Sequence, residues 1–477
     1  MARSVVVVGA GQGGLSAAIH ARLRGYEVLV LEARDRVGGK AAPIERDGYR
    51  LDPGPSIIIL PRIYQEVFKA AGRNPEDYLR FKRLDPFSRI FFEGRVPLDL
   101  PADREECLRT LEQEVPEDSR AVRRLMSKLD RVAPLVDETI FRHPYSSLWQ
   151  LADPKLIRTA LPFGFSKTYK QMVDESFQSP LLKAFFYGFP SYGGQSYSAK
   201  SIGAFLIPYY MLTEGVWYPE GGVAAIPAAF ERLARELGVE FRFGTRVTRI
   251  ESQVGVCKGV TLESGEHVDA EFVICNADRF GVDKLLGREV PKEPSYSYFT
   301  VHWGLKNRLT ELHHHNLLVP ASFARSFEEL YGKRFPTEPI VYLNETSRID
   351  PSTAPPGHSN LFAVVTSPAK EPHIDWKASE KEYRSRVVTT LRRFGINPEP
   401  TDFEIVQTPL TFEERDASFL GSLYGPDERN RRWGLFQPSV QDEQIKNLFY
   451  CGGTIQPGAG LPMVTLSGRF AAEALPR

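Results

Sequence analysis

The sequence predicts an α/β protein in which a parallel-sheet domain of the dinucleotide-binding kind is interrupted by a mixed α+β domain carrying a helical region. Three observations lead there. A strand, a glycine loop, a helix and a second strand open the chain, and a strand, a glycine-rich loop and a helix close it. Between them, β-branched runs give way to aromatic-rich helical patterns and then return. At 477 residues the chain exceeds what one small core accommodates, so two intertwined domains are expected.

Ser4–Val8 is apolar and β-branched without alternation, as a strand buried on both faces must be. Gly9-Ala10-Gly11-Gln12-Gly13-Gly14 follows, and helix formers run from Leu15 to Arg24 until Gly25 stops them. Glu27–Leu31 is the second strand, ending at Glu32, which completes a βαβ opening. An irregular stretch holds Gly38-Gly39-Lys40 and Asp52-Pro53-Gly54-Pro55-Ser56. From about 100 to 215 helical patterns dominate, dense in aromatics such as Phe163, Phe165, Phe185, Phe189 and Tyr192. Strands return at Val239–Phe243, Arg246–Glu251, Lys258–Glu263 and His267–Cys275, and residues 290–437 mix strands and helices. The closing unit is a strand over 447–451, a loop from Gly452 to Gly460 and a helix beginning near Pro462. Residues 1–85, 215–290 and 440–477 are therefore expected to form one discontinuous cofactor domain. Residues 86–214 and 291–439 are expected to form the substrate domain.

A formal net charge of zero gives no electrostatic case for a nucleic-acid partner. The four scattered cysteines, without a C-x-x-C pair, read as reduced structural thiols of a cytoplasmic protein. No export signal is expected. A spanning helix needs about 20 apolar residues, and the apolar stretch Ile202 to Met211 is about half that.

Gly9-x-Gly11-x-x-Gly14 alone is a weak signal. Here a strand precedes it, a helix follows, and Glu32 stands where a ribose-binding acid belongs. Gly9 permits the tight turn, Gly11 the approach of backbone to a pyrophosphate, and Gly14 close packing of helix on strand. Glu32 would accept from a ribose hydroxyl and repel a 2′-phosphate. Gly39 and Lys40 suit a second close approach to a long dinucleotide. The closing helix, with Pro462 in its first turn, would point its positive end at a flavin ring. FAD is the cofactor these features favour.

With those residues in view, the chain resembles the carotenoid desaturase family of flavin amine oxidase-like enzymes. The resemblance lies in VVVVGAGQGGLSAAIHARLRGYEVLVLEARDRVGGK, LDPGPS at 51–56, GVWYPEGGVAAIPAAF at 215–230 and NLFYCGGTIQPGAGLPMVTLSGRFAAEAL at 447–475. It implies a Rossmann-type FAD domain with an inserted substrate domain, and desaturation of polyenes or their saturated precursors. By position it assigns Gly9, Gly11, Gly14, Glu32, Gly39 and Lys40 to adenosine and pyrophosphate, and Val247 to the adenine edge. Gly453, Pro462 and Met463 fall to the flavin-proximal loop and helix, and Gly54, Pro55 and Ser56 join the cofactor-binding positions. Many members carry His before the Pro-Gly of the closing motif where this chain has Gln456, so no proton-carrying role for that histidine transfers.

Removing hydride and proton from a CH2–CH2 unit needs a positioned flavin more than side-chain chemistry. Glu214, Glu220 and Gln456 are the polar candidates for a catalytic role. Phe205, Tyr209, Tyr210 and Trp217 are candidates for a substrate tunnel. A forty-carbon hydrocarbon at ~0.8 kcal/mol per carbon costs roughly 30 kcal/mol to hold in water. That exceeds the ceiling of about 20 kcal/mol for non-covalent binding. The substrate must then pass from a bilayer, and a peripheral protein on the inner membrane face is expected. Its helical region would dock there, with Lys155, Arg158, Lys167, Lys170 and Lys183 toward lipid. Oxygen or a membrane quinone would accept the electrons. No metal site is expected, and His313-His314-His315 reads as a solvated loop. The alternatives on the same fold are a carotenoid isomerase, saturase or terminal oxidase, a soluble amine or porphyrinogen oxidase, and a non-catalytic prenyl-lipid-binding protein like the Rab GDP-dissociation inhibitors.

Overall fold

The structure, a computed structural model, describes residues 3–54, 56–144, 154–160, 167–200, 202–290, 292–427 and 437–477. Pro55, Phe163 and Phe165 lie outside the described residues.

Ser4–Val8 is the middle strand of a five-stranded parallel sheet, with Glu27–Leu31 and Glu240–Arg242 to one side and Phe272–Cys275 and Leu448–Tyr450 to the other. Val5, Val6 and Val7 are almost wholly buried in one core shared with the opening helix and with Cys257, Val260 and Leu262 of the antiparallel strand Val256–Leu262. The opening helix spans Gln12–Leu23 and so starts inside the glycine run. The closing helix, Leu461–Glu473, packs directly on it: a Cβ at Gly468 would collide with the carbonyl oxygen of Gly13. Glycine lets two segments far apart in sequence meet backbone to backbone.

A seven-stranded sheet forms the second layer, in the order Thr401–Gln407, Tyr296–Leu305, Ser359–Pro368, Val341–Asn344, His315–Val319, Ser88–Phe92, Leu98–Leu100. All its pairings are antiparallel except that of His315–Val319 with Ser88–Phe92. Strand alternation sorts its residues. Phe299, Val301 and Trp303 share a core with Trp376 and Tyr383 of the helix Trp376–Arg393. Tyr298 and Thr300 face the opposite way, into a cavity. The helices Ser119–Glu138, Pro180–Tyr187 and Leu206–Thr213 bound that cavity from the other side.

Two expectations are corrected. His267–Cys275 is not one strand: His267–Asp269 edges a three-stranded antiparallel ribbon, and Phe272–Cys275 enters the parallel sheet. Nor do His314 and His315 lie in a solvated loop. They are 5% and 2% exposed, and His315 begins a strand. His314 donates from Nδ1 to the Glu345 carbonyl at 3.1 Å, and burial pushes its ring pKa down to about 4. Neutral imidazoles with partners fit a core that a charged triplet could not enter.

No helix among the described residues is long and apolar enough to cross a membrane. All four cysteines are free and buried.

Candidate cofactor and substrate site

One cavity of about 1660 Å³ runs from the glycine loop to the helical region. Its two halves are built differently.

The cofactor half lies at the C-terminal ends of the parallel strands, where α/β sheets hold their ligands. Gly9 has φ +97°, and a Cβ at Gly14 would strike the Gly9 carbonyl, so the turn admits no larger residue at either position. Gly14 sits beneath the loop, while Gly9 and Gly11 line the cavity. A Cβ at Gly11 would come within 2.6 Å of Asn276 Nδ2. Gly38 donates to the Ala10 carbonyl at 3.0 Å, fastening the second glycine turn beside the first. Gly39, Lys40, Gly54 and Ser56 all border the same space, and a Cβ on Gly54 would hit the Lys40 carbonyl. Glu32 is 8% exposed and lines the cavity. Its Oε2 accepts from Ala10 N at 2.7 Å and its Oε1 from Arg34 N at 2.9 Å. Each oxygen keeps a lone pair for a further donor. Val247 lines the wall beside Thr245, whose amide donates to the Glu32 carbonyl at 2.8 Å.

Several groups here escaped the sequence reading. Asn276, Ala277 and Asp278 follow the strand Phe272–Cys275 and line the cavity. Their place at a parallel strand's C-terminal end was the available signal. Burial raises the pKa of Asp278, whose carboxylate accepts from Phe280 N at 3.0 Å and Phe419 N at 3.2 Å. The Asp416 side chain is buried too, but Arg415 and Arg34 pair with it and hold its pKa below the usual range. Nothing local in sequence marks the Arg34–Asp416 pair, since its members stand far apart in the chain.

The closing loop completes this half. Gly453, Pro462 and Met463 border the cavity, and the helix begins at Leu461 with Pro462 in its first turn. The amide of Gly452 donates to Ser467 Oγ at 3.1 Å, tying loop to helix. Gln456 also borders the cavity and donates from Nε2 to the Gln437 carbonyl at 3.1 Å.

The other half is apolar. Leu129, Val132, Val136, Phe185, Phe189 and Met211 line it, joined by Tyr210. Tyr210 donates to Asp137 at 3.1 Å. The other three tunnel candidates do not border the cavity. Phe205 is packed in the core against Tyr169, at a centroid distance of 4.4 Å. Tyr209 donates to Asp130 at 3.0 Å, and Trp217 donates to the Glu214 carbonyl at 2.9 Å. Glu214 pairs with Arg62 at 3.1 Å, and Glu220 is exposed; neither reaches the cavity wall. Among the described residues no group of three His, Cys, Asp or Glu side chains is arranged to hold a metal ion.

Exposed residues line the cavity at several places, Tyr192 and Ser198 among them. Ala33, Arg246 and Thr248 stand beside Glu32, and His143, Ile157 and Lys200 stand beside the helical region. Ile157 shows 40% of its surface. The basic residues of this region are largely matched by acids: Lys155 by Glu138, Lys167 by Glu175, Lys170 and Lys183 by Asp174.

A dinucleotide groove with two glycine turns, a ribose-side carboxylate and a helix N-terminus at its far end fits FAD. The fit is tight where it must be, since side chains at Gly11, Gly14 or Gly54 would alter the cradle. The class is an FAD-dependent oxidoreductase. Residues 13–476 match the family of flavin-containing amine oxidoreductases. The chain is 34% identical to a zeta-carotene-forming phytoene desaturase of Myxococcus xanthus over 99% of its length and 94% of the relative's. It is 32% identical to a 4,4'-diapolycopene oxygenase of a Methylomonas species, over 99% and 97% of the two chains. Among solved structures, an oxidoreductase from Methanosarcina mazei shares the fold at TM-score 0.66 and 16% identity, covering 98% of this chain and all of that one. The chain belongs to the flavin-containing amine oxidoreductase family, in its carotenoid desaturase group.

Proposed function

We propose that this protein desaturates a long polyene, or the saturated isoprenoid precursor of one, in carotenoid biosynthesis. The observation that carries the reading is the single cavity in which the cofactor groove opens directly into an apolar corridor. The desaturase from Myxococcus supports it.

Bound FAD supplies a hydride acceptor at N5. Gly9, Gly11, Gly14, Glu32, Gly39, Lys40, Gly54, Ser56, Val247, Gly453, Pro462 and Met463 would hold that cofactor. The chain's remaining task is to align the polyene and exclude water. Leu129, Val132, Val136, Phe185 and Met211 do that by shape, and neither Glu214 nor Glu220 reaches the cavity wall. Positive charge developing along the substrate is spread by its own π system, so positioning suffices.

The substrate's insolubility calls for delivery from a membrane. We place the docking face at the helix Pro154–Ala160, where Ile157 is both exposed and part of the cavity wall. Because the nearby lysines are paired with acids, docking there is driven by apolar contact more than by charge. Electrons leave to oxygen or a membrane quinone.

Expression in a host accumulating phytoene or diapophytoene tests the reading. Each conjugated double bond added shifts the product's absorption to longer wavelength, so one spectrum reports both activity and number of steps. An unchanged spectrum with both precursors contradicts it. Oxidation of a terminal carbon is the second reading, favoured by similarity to the Methylomonas oxygenase. It would leave an oxygenated end group on the product.

A further inference from the structure

The corridor wall carries a cluster of four tyrosines, Tyr192, Tyr298, Tyr342 and Tyr424. Three of their hydroxyls are engaged. Tyr298 and Tyr424 are bonded to each other at 2.6 Å, and Tyr342 lies 2.9 Å from Ser56 Oγ and 2.6 Å from His315 Nδ1. Tyr192 lies within electrostatic reach of all three. Its own hydroxyl has no hydrogen-bond partner among the described residues. The residue is 38% exposed, and it belongs to the cavity wall.

A corridor meant only for hydrocarbon gains nothing from an unengaged phenol. A hydroxyl facing hydrocarbon without a partner forfeits the bonds it makes to water, a cost of about 1–3 kcal/mol. Phenylalanine would fill the position without that cost. Ser56 fixes the cluster near the cofactor end of the corridor, since it also borders the cofactor groove.

Resting on the desaturase reading, we propose that Tyr192 donates a hydrogen bond to an oxygen carried by the polyene, a hydroxyl or carbonyl near one end. The site then distinguishes an oxygen-bearing polyene from the hydrocarbon of the same length. Tyr298, Tyr342 and Tyr424 are held by their mutual and neighbouring bonds and shape the spot around Tyr192.

The test compares three polyenes of equal length and conjugation in detergent micelles: the hydrocarbon, its terminal alcohol and its terminal aldehyde. Binding is followed by the change in flavin absorbance of the holoenzyme, and turnover is measured separately. The wild-type protein is expected to bind the alcohol, the aldehyde or both about tenfold tighter than the hydrocarbon. Tyr192→Phe is expected to bring that ratio to near one, whatever its absolute affinities. Equal wild-type affinities for all three overturn the proposal and leave the desaturase reading intact. So does an unchanged ratio in Tyr192→Phe with flavin content and melting temperature preserved. If that variant loses its flavin, the wild-type ratio alone decides. Failure of all three polyenes to bind or react overturns both readings.

Discussion

The two halves of the cavity recognise their occupants by opposite means. The cofactor half works through backbone: Gly9 takes a positive φ, and a Cβ at position 11, 14 or 54 would collide with a neighbouring atom of the chain. The substrate half works through the volume enclosed by Leu129, Val136, Phe185, Met211 and their neighbours. Recognition by backbone tolerates almost no substitution. Recognition by apolar shape tolerates many, provided volume is kept.

Gly14→Val should break the first half most severely. Its side chain would collide with the Gly9 carbonyl, and overpacking of this kind costs about 3 kcal/mol. Protein without bound flavin, or insoluble protein, is expected; normal flavin absorbance per chain would show that the loop does not hold the cofactor. Glu32→Ala should follow. It removes the acceptor for Ala10 N and Arg34 N as well as the ribose-side carboxylate, and weakening of FAD binding by about tenfold is expected in equilibrium dialysis.

Met211→Leu sharpens the contrast from the other side. A volume-conserving change in the corridor should cost less than about 1.5 kcal/mol in denaturant melts and leave flavin content unchanged. Its mark should be an altered ratio of products. Loss of flavin from this variant would mean that the halves are not independent.

The smallest effect concerns Glu345, a buried acid directly after the strand Val341–Asn344. Burial raises the Glu345 pKa to about 7, against the opposing pull of Arg348. Between the ordinary carboxylate range and pH 7 the unfolded chain gives up this proton while the folded one keeps it, so the residue's contribution to stability falls as pH rises through that window. Glu345→Gln removes this pH dependence. The melting temperature of the variant minus that of wild type should climb from about pH 4.5 to 7 and level off above; a flat difference would contradict the shift.

The same contrast explains what the sequence disclosed. The cofactor half was readable because its glycines and Glu32 occupy fixed offsets within a βαβ unit, where local geometry admits few residues. The closing helix was readable for the same reason, apart from its exact start. The corridor was not. Tyr210 borders it while adjacent Tyr209 turns to Asp130, and aromatic content alone cannot tell such neighbours apart. Glu214 stands in a suggestive motif but is used by Arg62. The polar cluster joins residues 56, 192, 298, 342 and 424, and only the tertiary fold assembles them. Polarity alone points the histidine triplet to solvent, whereas the groups that satisfy it in the core, the Glu345 carbonyl and Tyr342, are brought to it only by the fold.

Desaturation as proposed requires that cofactor and polyene share one dry cavity. It is tested most directly by mixing purified holoenzyme, without oxygen, with liposomes carrying phytoene or diapophytoene. Loss of oxidised-flavin absorbance in step with growth of a longer-wavelength polyene band is the predicted result. A flavin that stays oxidised beside an unchanged polyene, yet is reduced promptly by an amine or a porphyrinogen, would contradict it.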